Sequence, residues 1–184
     1  MHAKKYEYGE EAPIEQPRPL VPGDMVEEIT LLAFDPGGTT GFMLGTFNPQ
    51  TGLIIPGSVA FGEIGPNPHH TPLGRFIEET AFNHPHFMVV TEDYIPEFGR
   101  AQNYVALEYI GVMEYVSRKN LISFERQSRN IKPYWTKEKM MAVGVWPRGK
   151  KHAQDAARHW LTYASKTSRP MNLNLARAIH YAGE

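Results

Sequence analysis

The chain has 184 residues (20.9 kDa), 41% hydrophobic and 21% charged, enough for one compact domain and too few for two ordinary ones. Nineteen Lys and Arg against 20 Asp and Glu leave a net charge of -1, which excludes a uniformly basic coat, so any nucleic-acid-binding surface must be local. Cysteine is absent, which removes disulfides, thiolate nucleophiles and cysteine zinc sites, and a cytoplasmic protein is expected.

Residues 1–28 are acidic and carry Pro13, Pro17, Pro19 and Pro22, the composition of an arm too polar to pack on its own. No signal-peptide core follows the first lysines, and no stretch approaches the ~20 apolar residues that span a bilayer, so neither secretion nor membrane insertion is expected. Order begins at Ile29, where the apolar run Ile29 to Phe34 reads as a buried central strand ended by Asp35-Pro36-Gly37-Gly38. Gly41 to Phe47 and Leu53 to Ile64 read as two further strands, joined by the turn-forming Asn48-Pro49-Gln50-Thr51-Gly52. Residues 72–82 have helical spacing, and Phe87 to Thr91 gives a fourth strand running into Glu92. Residues 101–119 are apolar on more than one face, which predicts a helix buried on several sides. Leu121 to Phe124 reads as a fifth strand, with helices over Trp135 to Val143 and Lys150 to Ser165 and a tail over 166–184. The predicted order is βββαβαβ followed by helices, without internal repeats.

Asp35 stands at a strand end beside the glycine-rich turn Pro36 to Gly41, whose backbone can approach a phosphate. That pattern suits a nucleotide-binding loop of actin-like kinases, a metal-dependent phosphodiesterase, or simply a tight turn capped by its own aspartate. Glu92 and Asp93 follow a strand in the same way, and strand alternation lets only one of them face a given side; Glu92 is the candidate. His152 and Asp155 are three apart at the start of a helix, where they can face one metal, or else serve as a solvated helix face. Phosphodiester hydrolysis needs an activated water and a stabilised leaving oxygen, which two Mg²⁺ ions can supply through carboxylate ligands.

FDPGGTTG (Phe34 to Gly41), VVTED (Val89 to Asp93) and HAQDAARH (His152 to His159), in this order, resemble the three motifs of the RuvC-type Holliday junction resolvases, especially divergent phage-encoded members. The resemblance covers about residues 29–165 and implies a ribonuclease H-like α/β domain: a mixed five-stranded sheet with helices on both faces. It further implies a crossover junction endonuclease that leaves 5′-phosphate and 3′-hydroxyl ends. Asp35 would bridge two Mg²⁺ ions, for which Mn²⁺ can substitute, while Glu92 and Asp155 complete the metal shells. His152 takes a position where many relatives carry Asp. Homodimers are implied as well, since symmetric cuts in a four-way DNA junction require two active sites, and helix 101–119 is the candidate interface. The family's stacking aromatic after the second acid is displaced here: Ile95 takes its place, leaving Tyr94 or Phe98.

Charge placement agrees. Residues 118–158 hold eleven basic residues against Glu125, Glu138 and Asp155, interleaved with Tyr134, Trp135 and Trp146, a pattern that suits a phosphate-tracking surface. Within it Arg126, Arg129, Lys132, Lys150 and Lys151 are the candidate DNA contacts. Two alternatives stay open: an actin-like or sugar-kinase-like ATP-binding protein, whose usual duplicated domain does not fit in 184 residues, and a nucleic-acid-binding scaffold without turnover.

Overall fold

The computed structural model describes residues 28–65, 71–95 and 104–168. Most of the N-terminal arm, Phe98, the first residues of the 101–119 segment and most of the C-terminal tail lie outside these described residues.

Strand β1 (Ile29–Asp35) is buried along its whole length, as a continuous apolar run demands when both sheet faces are covered. It pairs antiparallel with β2 (Thr40–Phe47), which pairs antiparallel with β3 (Ala60–Ile64). On its other side β1 lies parallel to β4 (Phe87–Glu92), and β4 parallel to β5 (Ser123–Gln127), so the sheet order is β3-β2-β1-β4-β5. Helix α1 (Thr71–Asn83) links β3 to β4, and α2 (Tyr104–Lys119) links β4 to β5. Both cover one face, where Leu32, Phe34 and Val89 pack with Leu73, Ile77, Tyr109 and Met113. The other face carries α3 (Lys137–Ala142) and α4 (Lys151–Thr167), with Leu31, Ala33 and Val90 against Trp135, Met140, Trp160 and Leu161. Side chains of a strand alternate between faces, so Asp35 shares the α4 side with Leu31 and Ala33, and Glu92 shares it with Val90.

The predicted element order is the observed one, with four local departures. Leu53 to Val59 is not strand: it meets β2 through an Ile54–Phe47 bridge and the Ser58 hydroxyl on Thr46, and turns at Pro56-Gly57, where Gly57 adopts φ 78°. Leu121 ends α2 rather than starting β5. It sits at φ 55° with its N–H bonded to Arg118 O, while Ile122 N–H reaches Ser117 O, the two bonds of a Schellman cap usually given to glycine. The helix predicted over Trp135 to Val143 starts later: a 3-10 turn at Arg129–Tyr134 precedes it, Trp135 enters the core, and Thr136 accepts a hydrogen bond from Lys139 N–H to cap α3. Helix α2 is buried on one face only, through Ala106, Tyr109, Ile110, Met113, Val116 and Ser117; Tyr104 and Tyr115 are exposed.

Candidate active site

The C-terminal ends of the parallel strands β1 and β4 bring Asp35 and Glu92 side by side, and α4 lays Asp155 and His152 over them. What lets α4 come so close is Gly41. A Cβ there would stand 2.0 Å from the carbonyl carbon of His152, so only glycine accepts the helix start at this point of β2. Alanines 153, 156, 157 and 164 form the buried face of α4, and Trp160 Nε1–H donates to Leu31 O at 2.9 Å, fixing the helix along β1. The residue before α4, Lys150, offers no side-chain cap; instead Glu63 of β3 accepts the His152 N–H at 3.1 Å. The glycine turn read as a possible phosphate loop is therefore roofed by helix backbone at Gly41.

Lys132, carried by the 3-10 turn, reaches into the centre of this group. Its Nζ lies 3.1 Å from Asp35 Oδ1, 2.6 Å from Glu92 Oε2 and 3.0 Å from Asp155 Oδ2. An ammonium has three donors, and here each has a different carboxylate. His152 Nδ1 lies 2.8 Å from the other Asp35 oxygen. Further support comes from side chains that the sequence reading left without a role. His159, fully buried, faces Glu92 Oε2 through Nε2 and Gln127 Oε1 through Nδ1, both at 3.1 Å. Gln127 in turn donates to Glu125. Arg158 holds the second oxygen of Asp155 while its Nε donates to Trp135 O at 3.0 Å. A signal for His159 was present: positions 152, 155 and 159 follow the spacing of one helix face.

The electrostatics follow from this packing. Burial, reinforced by the hydrogen bond to Glu92, raises Asp35 to about 6 despite Lys132 and His152. Burial also acts to raise Glu92, but hydrogen bonds with His159, Asp35 and Lys132 outweigh it and bring that carboxyl down to about 2. For Lys132 burial favours the neutral amine, yet the three carboxylates override it and hold the ammonium above its ordinary range.

The remaining predicted site residues divide by location. Lys150 and Lys151 are exposed at the start of α4, beside His152. Tyr94 is half-buried just past Glu92. Arg129 lines a cavity of about 170 Å³ with Asp93, Ile95, Ser128 and Asn130. Arg126 points to the opposite face of the sheet, where Glu114 of α2 and Asp93 hold it. Of the interleaved aromatics, Trp135 is not a surface residue: it is fully buried and donates Nε1–H to Thr162 Oγ1 at 3.0 Å. Tyr134 is exposed under Lys139, and Trp146 lies under Lys137.

The donor set suits a hard divalent cation. Carboxylate oxygens from three elements already surround one positive charge, which is the chemistry Mg²⁺ or Mn²⁺ requires. Among the described residues no three acidic or imidazole groups have closed to metal-ligand spacing; they are spread around the ammonium.

This fold, with three antiparallel strands, two parallel ones and helices on both faces, is ribonuclease H-like. Among solved structures it is similar to RuvC of Thermus thermophilus, with a TM-score of 0.55 and 13% identity over 74% of this chain and 93% of that one. A second likeness is to T. thermophilus RuvC in complex with a Holliday junction substrate, with a TM-score of 0.53 and 16% identity over 74% and 92%. At these identities the shared property is the fold. No protein-family model and no curated protein sequence matches the chain. Among the described residues no helix is long and apolar enough to cross a membrane.

Proposed function

We propose that the protein is a metal-dependent, structure-selective DNA endonuclease that acts in the cytoplasm and resolves four-way junctions by paired symmetric nicks. The observation that carries this reading is the convergence of Asp35, Glu92 and Asp155, from positions far apart in the chain, on a single cation at the ends of parallel strands. Asp35, Glu92, Asp155 and His152 are the residues that would hold the Mg²⁺ ions. When bound, such ions polarise the scissile phosphate, acidify an attacking water and stabilise the leaving oxygen.

The chain's own residues prepare that chemistry. His159 and Gln127 orient Glu92, and Arg158 orients Asp155, so the oxygens need little rearrangement. Lys150 and Lys151, on the rim, are placed to meet DNA phosphates, and the cavity beside Ile95 and Arg129 to take a nucleotide next to the break. The exposed Tyr104 and Tyr115 on α2 offer a face for pairing two copies, so that two sites face one junction.

The test is incubation of the purified protein with a synthetic four-way junction, a duplex and a single strand, each in Mg²⁺ and in EDTA. Mg²⁺-dependent symmetric nicks in the junction, leaving 5′-phosphates, are expected. An intact junction would overturn the nuclease reading, and ATP hydrolysis in its place would favour a kinase-like protein.

A further inference from the structure

The ion that would serve the proposed nuclease and the side chain of Lys132 seek the same oxygens. Lys132 spends its three donors on Asp35, Glu92 and Asp155 at 2.6–3.1 Å, which leaves no carboxylate of the group without a positive neighbour. A divalent ion drawn to those oxygens would meet the ammonium at contact distance, and like charges do not share so small and poorly hydrated a space.

The two cations of the cluster are also mounted differently. Arg158 rises from the middle of α4 and is tied to Trp135 O through Nε, so it stays with its helix. Lys132 extends a flexible four-carbon stem from a 3-10 turn in which no residue is buried, and its side chain retains 27% of its exposure. It can leave the carboxylates without disturbing the core.

We propose that Lys132 is a built-in counter-cation of the metal site: its ammonium balances the three carboxylates and is displaced when a divalent ion enters, so metal loading is set by competition with this residue. The proposal rests on the nuclease reading for the identity of the ion, but it is tested without DNA. In calorimetric titration of the full chain with Mn²⁺, Lys132→Met is expected to bind at least about tenfold more tightly than the wild type. Equal or weaker binding, or no binding to either protein, would overturn it.

A second measurement uses the wild type alone, so it does not depend on how the variant folds. Lys132 should acylate slowly in EDTA and faster in saturating Mg²⁺, read by mass spectrometry, while Lys119, paired with Glu78 on the outside of α2, reacts at one rate in both. A Lys132 rate indifferent to Mg²⁺ would refute the displacement. Junction cleavage measured in parallel separates the two readings. Competition without cleavage upholds the counter-cation and removes the nuclease; cleavage without competition does the reverse.

Discussion

Lys132 and Arg126 belong to the same basic stretch, six positions apart, and both end in carboxylates, yet they occupy opposite faces of the sheet to different effect. Arg126 keeps 44% of its side-chain exposure against Glu114 and Asp93 on the α2 side, a setting in which water screens the attraction. Lys132 faces carboxylates that are only 9–18% exposed, and there its ammonium acts to lower the proton affinity of Asp35 and Glu92. Surrounding solvent, rather than the pairing itself, sets how strongly each cation acts on the acids around it.

The contrast breaks first at Asp35. Asp35→Asn removes the central acid and should lower junction cleavage by about a thousandfold or more while leaving junction binding nearly unchanged in a gel-shift assay. Retained cleavage would take Asp35 out of the mechanism.

A smaller effect belongs to pH. Asp35 holds its proton to about 6 in the folded protein against an ordinary 3.8, so the native state binds that proton more tightly than the unfolded chain. Its contribution to stability is complete below about pH 4 and disappears as pH rises through 6, worth at most about 3 kcal/mol. Urea unfolding of the metal-free protein between pH 4 and 7 should show that decline in the wild type and a flatter profile in Asp35→Asn. Glu92, depressed to about 2, acts in the reverse sense and at lower pH: its contribution is present above about 4.5 and lost as pH falls toward 2.

Gly41→Ala tests the mounting of the site. The added methyl meets the His152 backbone, so α4 must shift at a cost of about 1–3 kcal/mol, and thermal unfolding should register it together with slower cleavage. The smallest effect is expected at Arg126. Arg126→Ala should change stability by less than about 1 kcal/mol and leave Mn²⁺ affinity as it was, since its charge is spent across the sheet.

Much of this arrangement is legible in the letters, because periodicity two assigns faces. The run from Ile29 to Phe34 places Asp35, and the run from Phe87 to Thr91 separates Glu92 from Asp93, which does turn the other way toward Arg126. The letters mislead where local chemistry overrides pattern. Leu53 to Val59 has apolar residues enough for a strand, but Pro56-Gly57 turns the chain before a ladder forms. Leu121 accepts a left-handed conformation because the end of α2 needs its capping bonds more than β5 needs another residue. Lys132 was legible as a cation but not as the hub of the acids. Its place depends on a six-residue 3-10 turn folding back over the sheet, and a run of mixed basic and aromatic residues gives no period from which to read that fold.

The indole of Trp160 joined to the carbonyl of Leu31 means that β1 and α4 travel as one piece. Asp35 and Asp155 therefore form a fixed jaw, to which the β1–β4 ladder and the His159 contact also hold Glu92, while Lys132 rides on a 3-10 turn with no buried residue. If the cluster breathes to exchange its cation, the lysine's turn is the part that must move, and amide exchange should be slowest along β1 and α4 and fastest in that turn.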